Sequence, residues 1–531
     1  MPSRATSLAL AALALLAAPA GAQIPPDVRW MEFDTEHFRV HYAPGLEHLG
    51  RRLAARAEAA HRELEAALVP APRGRIHLVV TDNTDFANGF ASLFPRNRVV
   101  VFAHPPVDDP FLVYYDDWLD VVGTHELVHV YHLDHARGVL RNLREVLGRA
   151  PITFPNLLAP GWTTEGLATY LESRLTPAGR VRGTLHDMVL RTAVLEGELF
   201  TLDRATGFPT TWPAGNTQYV YGSLFMDFLA RRYGHEGAGK LVRTVGRRII
   251  PYRLNSAARE AYGVTFSQAW REWGDSLRVR YTAVADSLRA AGLTEPQQLT
   301  PAGRRTEFPR WSPDGQWIAF AQATGREEAS TRLVGAEGGA VRVVAPRTTL
   351  GVTAWAPDGR SLLSAELDAV DPYRYYSDLY RATLAGGRER LTNGARLLDP
   401  DVARDGRVVA THDTAGSNVP VVVDAPGAAP RPLAAPDPDV HWAAPRWSPA
   451  GDRIAAQRKT REGHDVVVLD ASGRVLRQLT RDRAVDRTPA WSPDGRWVVF
   501  SSDRTGITNL YAYDLEGDRL LQATSVLTGA F

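Results

Sequence analysis

No cysteine occurs among the 531 residues, which excludes a disulfide framework, a thiolate metal site and a lipid-modified N-terminal cysteine. Any metal held by this chain must therefore rest on histidine and carboxylate. Long apolar runs are also missing. The run Leu8 to Ala18 is too short to span a bilayer comfortably, and no other stretch approaches the roughly 20 residues required, so no transmembrane segment is expected. Nor is there an excess of charge of either sign. With 61 basic and 60 acidic residues, nothing in the net charge argues for a nucleic-acid partner.

What is present at the start is a secretory pattern. Arg4 precedes the apolar run, and Ala20-Gly21-Ala22 supplies the small residues that signal peptidase cuts. Residues 1–22 read as a signal peptide, with Gln23 opening the mature chain and a secreted or periplasmic bacterial-envelope location expected. The length is too great for one core. Texture changes near residue 293, from long helical patterns to short strands punctuated by Pro-Asp-Gly, which sets domains at 23–292 and 293–531.

The first domain reads as mixed α/β and mostly helical. Phe38-Arg39-Val40-His41-Tyr42 alternates as a strand does, Leu46 to Leu68 is an amphipathic helix, and Ile76 to Val80 and Arg98 to Phe102 are further strands. Around Thr124-His125-Glu126-Leu127-Val128-His129 the apolar residues predict a helix, capped by Asp116 or Asp117 and running towards Asp134. On a helix His125 and His129 project from one face and can share a metal ion, with Glu126 beside them. This is a zinc-hydrolase arrangement in which the carboxylate takes a proton from a zinc-activated water. Gly123, inside that helix, predicts close packing or a bend.

Two residues compete to be the third ligand. Glu165, in Pro160-Gly161-Trp162-Thr163-Thr164-Glu165-Gly166-Leu167-Ala168-Thr169-Tyr170, would be aimed from a second helix. His135 has the spacing of the metzincins, but a helix-breaking Gly would be needed where His132 stands. Without it His135 lies about 15 Å along the axis from His125. Glu165 is favoured, with His132 and His135 read as solvated or supporting.

His-Glu-Leu-Val-His followed by Trp-Thr-Thr-Glu-Gly-Leu-Ala-Thr-Tyr resembles the gluzincin metallopeptidases, in particular the secreted peptidase-MA-like proteins, over roughly Trp30 to Ala290. The resemblance implies Zn2+ held by His125, His129 and Glu165, Glu126 as general base, and a peptide or protein substrate. Related aminopeptidases carry a Tyr, ahead of a Gly that opens a helix, which stabilises the oxyanion. Tyr219-Val220-Tyr221-Gly222 has that form, and its Tyr-x-x-Gly spacing picks Tyr219, with Tyr221 as rival. There is no Gly-x-Met-Glu-Asn. Thr169 stands where thermolysin-like proteins have an Asp, which leaves the residue that would support the metal ligands from behind unassigned. In such peptidases an edge strand beside the active-site helix pairs with substrate, and Val99 to Ala103 is the candidate for it here.

In the second domain Trp311-Ser312-Pro313-Asp314-Gly315 recurs as Trp355-Ala356-Pro357-Asp358-Gly359, in degraded form as Val402-Ala403-Arg404-Asp405-Gly406, as Trp447-Ser448-Pro449-Ala450-Gly451 and as Trp491-Ser492-Pro493-Asp494-Gly495. A period in the forties, with several short strands per unit, is the pattern of a β-propeller blade. The units resemble TolB-type repeats of bacterial envelope proteins, which implies an all-β propeller that binds a substrate or an envelope partner. Leu299-Thr300 looks like the end of one blade and Leu527 to Phe531 like the lead-in to another. Five full blades and part of a sixth are expected, or else a five-bladed ring closed by short terminal strands. Two functional readings follow. One is a secreted zinc metallopeptidase aided by its propeller. The other is a non-catalytic binding or scaffold protein acting through the propeller.

Overall fold

The computed structural model describes residues 25–107, 109–300 and 305–531; the signal-like segment 1–22 lies outside them. The N-terminal region opens with a five-stranded sheet of β1 (Met31–Asp34), β2 (Phe38–Tyr42), β3 (Ile76–Thr81), β4 (Gly89–Ser92) and β5 (Arg98–Phe102), in the order β1-β2-β3-β5-β4. β2, β3 and β5 run parallel, and β1 and β4 pair antiparallel at the two edges. This corrects one expectation. Val99 to Ala103 is no edge strand: β5 is hydrogen-bonded on both sides, and its Val99, Val100 and Val101 are buried. The free edge belongs to β4, whose sequence Gly-Phe-Ala-Ser carries no alternation to announce it.

Two helices cover the sheet, α1 (Glu47–Ala67) and α2 (Trp118–Asp134). α1 buries Leu49, Leu53, Ala57, Ala60 and Leu64, a helical stripe. α2 is buried nearly all round, as its apolar composition requires, and it begins at Asp117, whose carboxylate accepts a hydrogen bond from Leu119 N at 3.1 Å. At Gly123 the two helices touch: a Cβ there would lie 2.9 Å from Leu53 Cδ1. The remaining helices are α3 (Gly138–Leu147), α4 (Gly161–Leu175), α5 (Thr184–Leu195), α6 (Thr217–Tyr233), α7 (Gly237–Val245), α8 (Leu254–Tyr262) and α9 (Phe266–Ala291). α9 starts with a reciprocal Thr265–Gln268 capping box, and it packs Trp270 and Trp273 around Phe225 of α6.

The C-terminal region is a five-bladed β-propeller of four-stranded antiparallel sheets. Each Pro-Asp-Gly unit turns the chain from an innermost strand into the next one. The glycine takes a positive φ every time, from +68° at Gly359 to +90° at Gly406. In the second and fifth blades the Trp indole donates to a carbonyl of the preceding blade, Trp355 to Arg310 O and Trp491 to Arg446 O, both at 3.0 Å. Trp311 of the first blade, at 60 % exposure against 8 % for Trp355, faces instead a cavity of about 720 Å³ between the first and fifth blades. Among the described residues no sixth sheet fills that seam.

The two regions are docked through polar contacts. After β3, Thr84 bridges to Tyr375 of the second blade, and Ser377 N donates to Asp85 Oδ2 at 2.8 Å. Arg396 reaches both oxygens of Asp82 at 2.7 Å and Asp85 Oδ1 at 2.8 Å. Residues 104–107 and 109–115 enter the propeller mouth, where Val107 packs on Ala443 and Ala444, Gln457 donates to Val107 O and His464 Nε2 donates to Val113 O. Burial and the nearby Asp413 push the Asp85 carboxyl up to about 7 against the pull of Arg396. Removing Arg396 would leave two buried carboxylates without their cation. Arg396→Ala should cost about 3 kcal/mol and loosen the docking. Differential scanning calorimetry is expected to show an earlier, split transition, while Arg396→Lys retains part of the loss.

Candidate metal centre

One helix supplies the histidines and a second supplies the acids. His125 and His129, one turn apart on α2, point to the same side, with their Nε2 atoms 3.1 Å apart. Glu165, on the second turn of α4, places Oε2 3.4 Å from His125 Nε2 and 3.2 Å from His129 Nε2. Among the described residues these three form the one group of such side chains close enough to hold a metal ion. Three donors around a tetrahedral zinc ion, with bonds of about 2.0–2.1 Å, would stand about 3.3 Å apart. The observed separations fit that set, and the donor types suit the ion.

The orientation of His125 is fixed from behind. Its Nδ1–H donates to Glu172 Oε2 at 2.8 Å, which leaves Nε2 to face His129 and Glu165. Glu172 lies two turns after Glu165 on the same face of α4 and is fully buried. Arg180, in a short 3-10 turn beyond α4, holds it with Nε on Oε1 at 2.8 Å and Nη2 on Oε2 at 2.6 Å. Burial would raise the Glu172 carboxyl, but the Arg180 charge outweighs it and holds the group at about 2. Thr169, the position where an acid would stand in thermolysin-like proteins, is buried, and its hydroxyl has no hydrogen-bond partner among the described residues. Sequence reasoning missed Glu172 and Arg180. A buried acid seven residues after Glu165, hence on its helix face, was the available signal.

Electrostatics draw these side chains together. Burial disfavours charge on His125, yet Glu165 and Glu172 raise its imidazole to about 9. Burial likewise opposes charge on Glu165, and the facing histidines hold its carboxyl well below the usual range. Glu126 is buried beside them, and desolvation pushes its carboxyl up. Across the site Tyr219, on the first turn of α6, stacks near His125 at 6.3 Å between ring centroids, with the Arg180 guanidinium 5.1 Å from its own. Burial and the Glu165 charge raise its phenol, which keeps the proton available for donation. Tyr221 instead stacks on Phe200 in the core at 5.2 Å.

The other histidines lie elsewhere. His132 is buried and pushed down to about 3 by burial, and His135 ends α2 as its C-cap. Neither joins the cluster. β4 runs past the centre: a Cβ on Gly89 would come within 3.3 Å of Glu126 Cγ.

The TolB beta propeller domain model matches residues 391–526. The chain is similar to an uncharacterized protein of Agrobacterium fabrum, 27 % identical over 182 residues, covering 33 % of this chain and 58 % of that protein. It is also similar to the Tol-Pal system protein TolB of Anaeromyxobacter sp., 39 % identical over 61 residues, covering 12 % of this chain and 14 % of that protein. The chain thus spans less than two thirds of either relative. Among solved structures, TolB from Acinetobacter baumannii is 20 % identical with a TM-score of 0.38, covering 48 % of this chain and 71 % of that one. The C-terminal region is a TolB-like propeller.

If Glu172 orients His125, its removal weakens metal binding without touching a ligand. Glu172→Gln should lower zinc affinity about 10- to 100-fold. Glu165→Ala should lower it further, and His135→Ala should leave it unchanged, all read by equilibrium dialysis with elemental mass spectrometry.

Proposed function

We propose that the N-terminal domain is a secreted, zinc-dependent peptidase whose TolB-like propeller engages substrate or an envelope partner. The observation that carries this reading is the convergence of His125, His129 and Glu165 within hydrogen-bonding distances of one another, with Glu126 and Tyr219 on the same site. His125, His129 and Glu165 would hold the ion, which when bound supplies a Lewis acid for a scissile carbonyl.

The chain's own residues do the rest. The free edge of β4 offers backbone groups to which an extended peptide can add as a further strand, alongside Glu126. Glu126 takes the proton from the attacking water and passes it to the leaving amine. Its burial raises its basicity for that task. The Tyr219 hydroxyl donates to the carbonyl oxygen as negative charge develops there, an interaction strongest in the transition state. Glu172 and Arg180 keep His125 in one tautomer and orientation.

A second reading has a specific observation in its favour. The family match covers propeller residues 391–526 and one relative is a TolB protein, so a binding or scaffold protein of the envelope, with a silent N-terminal domain, accounts for those likenesses equally well. Metal content separates the two. About one zinc per chain in purified residues 23–531 supports the peptidase. No metal after zinc is supplied favours the scaffold.

The chemistry has its own test on quenched-fluorescence peptides. Glu126→Gln should keep zinc and lose at least about 100-fold in kcat. Tyr219→Phe should lose about 100-fold in kcat with little change in KM. Unchanged turnover in Glu126→Gln would sink the mechanism.

A further inference from the structure

α3 is amphipathic the wrong way round. Its apolar residues Val139, Leu143, Val146 and Leu147 recur at helical spacing, which ordinarily marks the face turned to a core. Here that stripe faces outward, and Leu140 alone is buried. Val146 is 82 % exposed.

Two neighbouring segments extend the same surface. The short turns Pro151–Thr153 and Pro155–Leu158 present Ile152, which is 76 % exposed, together with Leu157 and Leu158. The connection between α7 and α8 presents Ile249, Ile250 and Tyr252. Leu158, Ile250 and Tyr252 line one cleft, and Arg137 N donates to Gly246 O at 2.7 Å, so the three segments adjoin. Single exposed apolar residues are ordinary on a protein surface, whereas a contiguous group of this extent marks a contact face.

The charge around that group identifies the partner's chemistry. Residues 137–149 carry four arginines against Glu145, and residues 243–253 carry four more with no acid. Glu145 is engaged by Arg73, and Glu260 holds Arg247 and Arg248. Arg253 is exposed beside Tyr252, while Arg137 and Arg141 are exposed on the side of α3 away from the apolar stripe, and Asp134 holds Arg144 and Arg149, which leaves the surface around the apolar group with an excess of positive charge. An apolar face on a surface with an excess of arginine complements anionic headgroups over acyl chains. No helix among the described residues is long and apolar enough to cross a membrane, so the contact would lie on the surface.

We propose that α3, the turns at 151–158 and the loop 249–252 dock this protein peripherally on an anionic phospholipid bilayer. The apolar side chains enter the headgroup boundary, Arg253 is within reach of the phosphates, and the other arginines add longer-range attraction to the anionic surface. This contact is independent of the metal centre and does not rest on the peptidase reading.

The test is flotation of residues 23–531 with phosphatidylglycerol-containing vesicles and with pure phosphatidylcholine vesicles. Binding is expected to the anionic vesicles and to weaken with salt. The combined variant Val146→Glu, Ile152→Glu and Ile250→Glu should bind at least about tenfold more weakly. Arg141→Glu with Arg253→Glu should remove the preference for anionic lipid. Hydrogen exchange on the unaltered chain, which needs no variant to fold, should show protection of residues 139–158 and 249–253 when anionic vesicles are added. Absence of binding, or equal binding to both vesicle types, overturns the proposal. So does a concentration-dependent dimer that the same variants abolish, which would assign the face to a second copy of the chain.

Discussion

At the crossing of α4 and α6, Gly166 and Gly222 lie against each other with no side chain between the two backbones. A Cβ on Gly166 would meet the Gly222 carbonyl carbon at 2.4 Å, and one on Gly222 would meet Trp162 O at 2.3 Å. Backbone on both sides leaves nothing to move aside, so any larger residue would push the helices apart. That approach sets Glu165, one residue before Gly166, opposite Tyr219, three residues before Gly222. It also brings Arg180, which packs over Tyr219, onto Glu172 and so onto the back of His125. The candidate centre is thus assembled by a helix spacing that two glycines permit. The same pair accounts for the glycines in Trp-x-x-Glu-Gly and Tyr-x-x-Gly in mechanical terms, whatever chemistry the site performs.

The parts of this arrangement that were legible in the sequence are those set by local geometry. A four-residue spacing on a helix places two imidazoles together whatever surrounds them, so His125 and His129 could be paired from the chain alone. The propeller was legible for the same reason: Pro-Asp-Gly recurs because each turn needs a fixed φ followed by a positive one. Glu172 was not, because its partners come from α2 and from a turn eight residues on, a meeting that only packing decides. β4 was missed because four small or mixed residues carry no period. The innermost propeller strands hid another regularity. Phe308, Asp399, Ala444 and Thr488 all take positive φ at the register shifts of these strands, although none is glycine. Four unrelated side chains share one backbone irregularity, and its mark in the sequence is the proline that follows each of them, Pro309, Pro400, Pro445 and Pro489.

Docking of the two domains depends on contacts far apart in sequence and mostly polar. Arg396 between Asp82 and Asp85, His104 against Asp413 at 2.5 Å and Lys459 on Asp116 O each join residues about 300 positions apart or more. An interface of this kind holds by complementary charge and hydrogen-bond geometry rather than by apolar area. It therefore specifies orientation tightly while contributing modest net stability. Residues 104–107 and 109–115 belong to the α/β domain by sequence and to the propeller mouth by contact, so the two are mechanically joined at that point.

α5 links the propeller seam to the candidate centre. Its Leu185 and Met188 line the cavity between the first and fifth blades, and between them His186 turns inward to Ser223 of α6, near the Arg180–Glu172 pair. Burial pushes the His186 imidazole down to about 3, so it stays neutral and leaves the Glu172 carboxylate to Arg180 and His125. Arg191 at the far end of the same helix donates to Leu527 O and Thr528 O, both at 2.8 Å, and Thr184 at its start donates to Asp503 Oδ2 at 2.9 Å. One short helix is therefore fastened to the propeller at both ends and supports the candidate centre through its middle. A ligand that entered the seam cavity would press on Leu185 and Met188, with His186 on the adjoining face of the same rigid element. That helix is one physical route from the propeller to the orientation of His125, and the hydrogen bond of Lys459 to Asp116 O at the start of α2 is another.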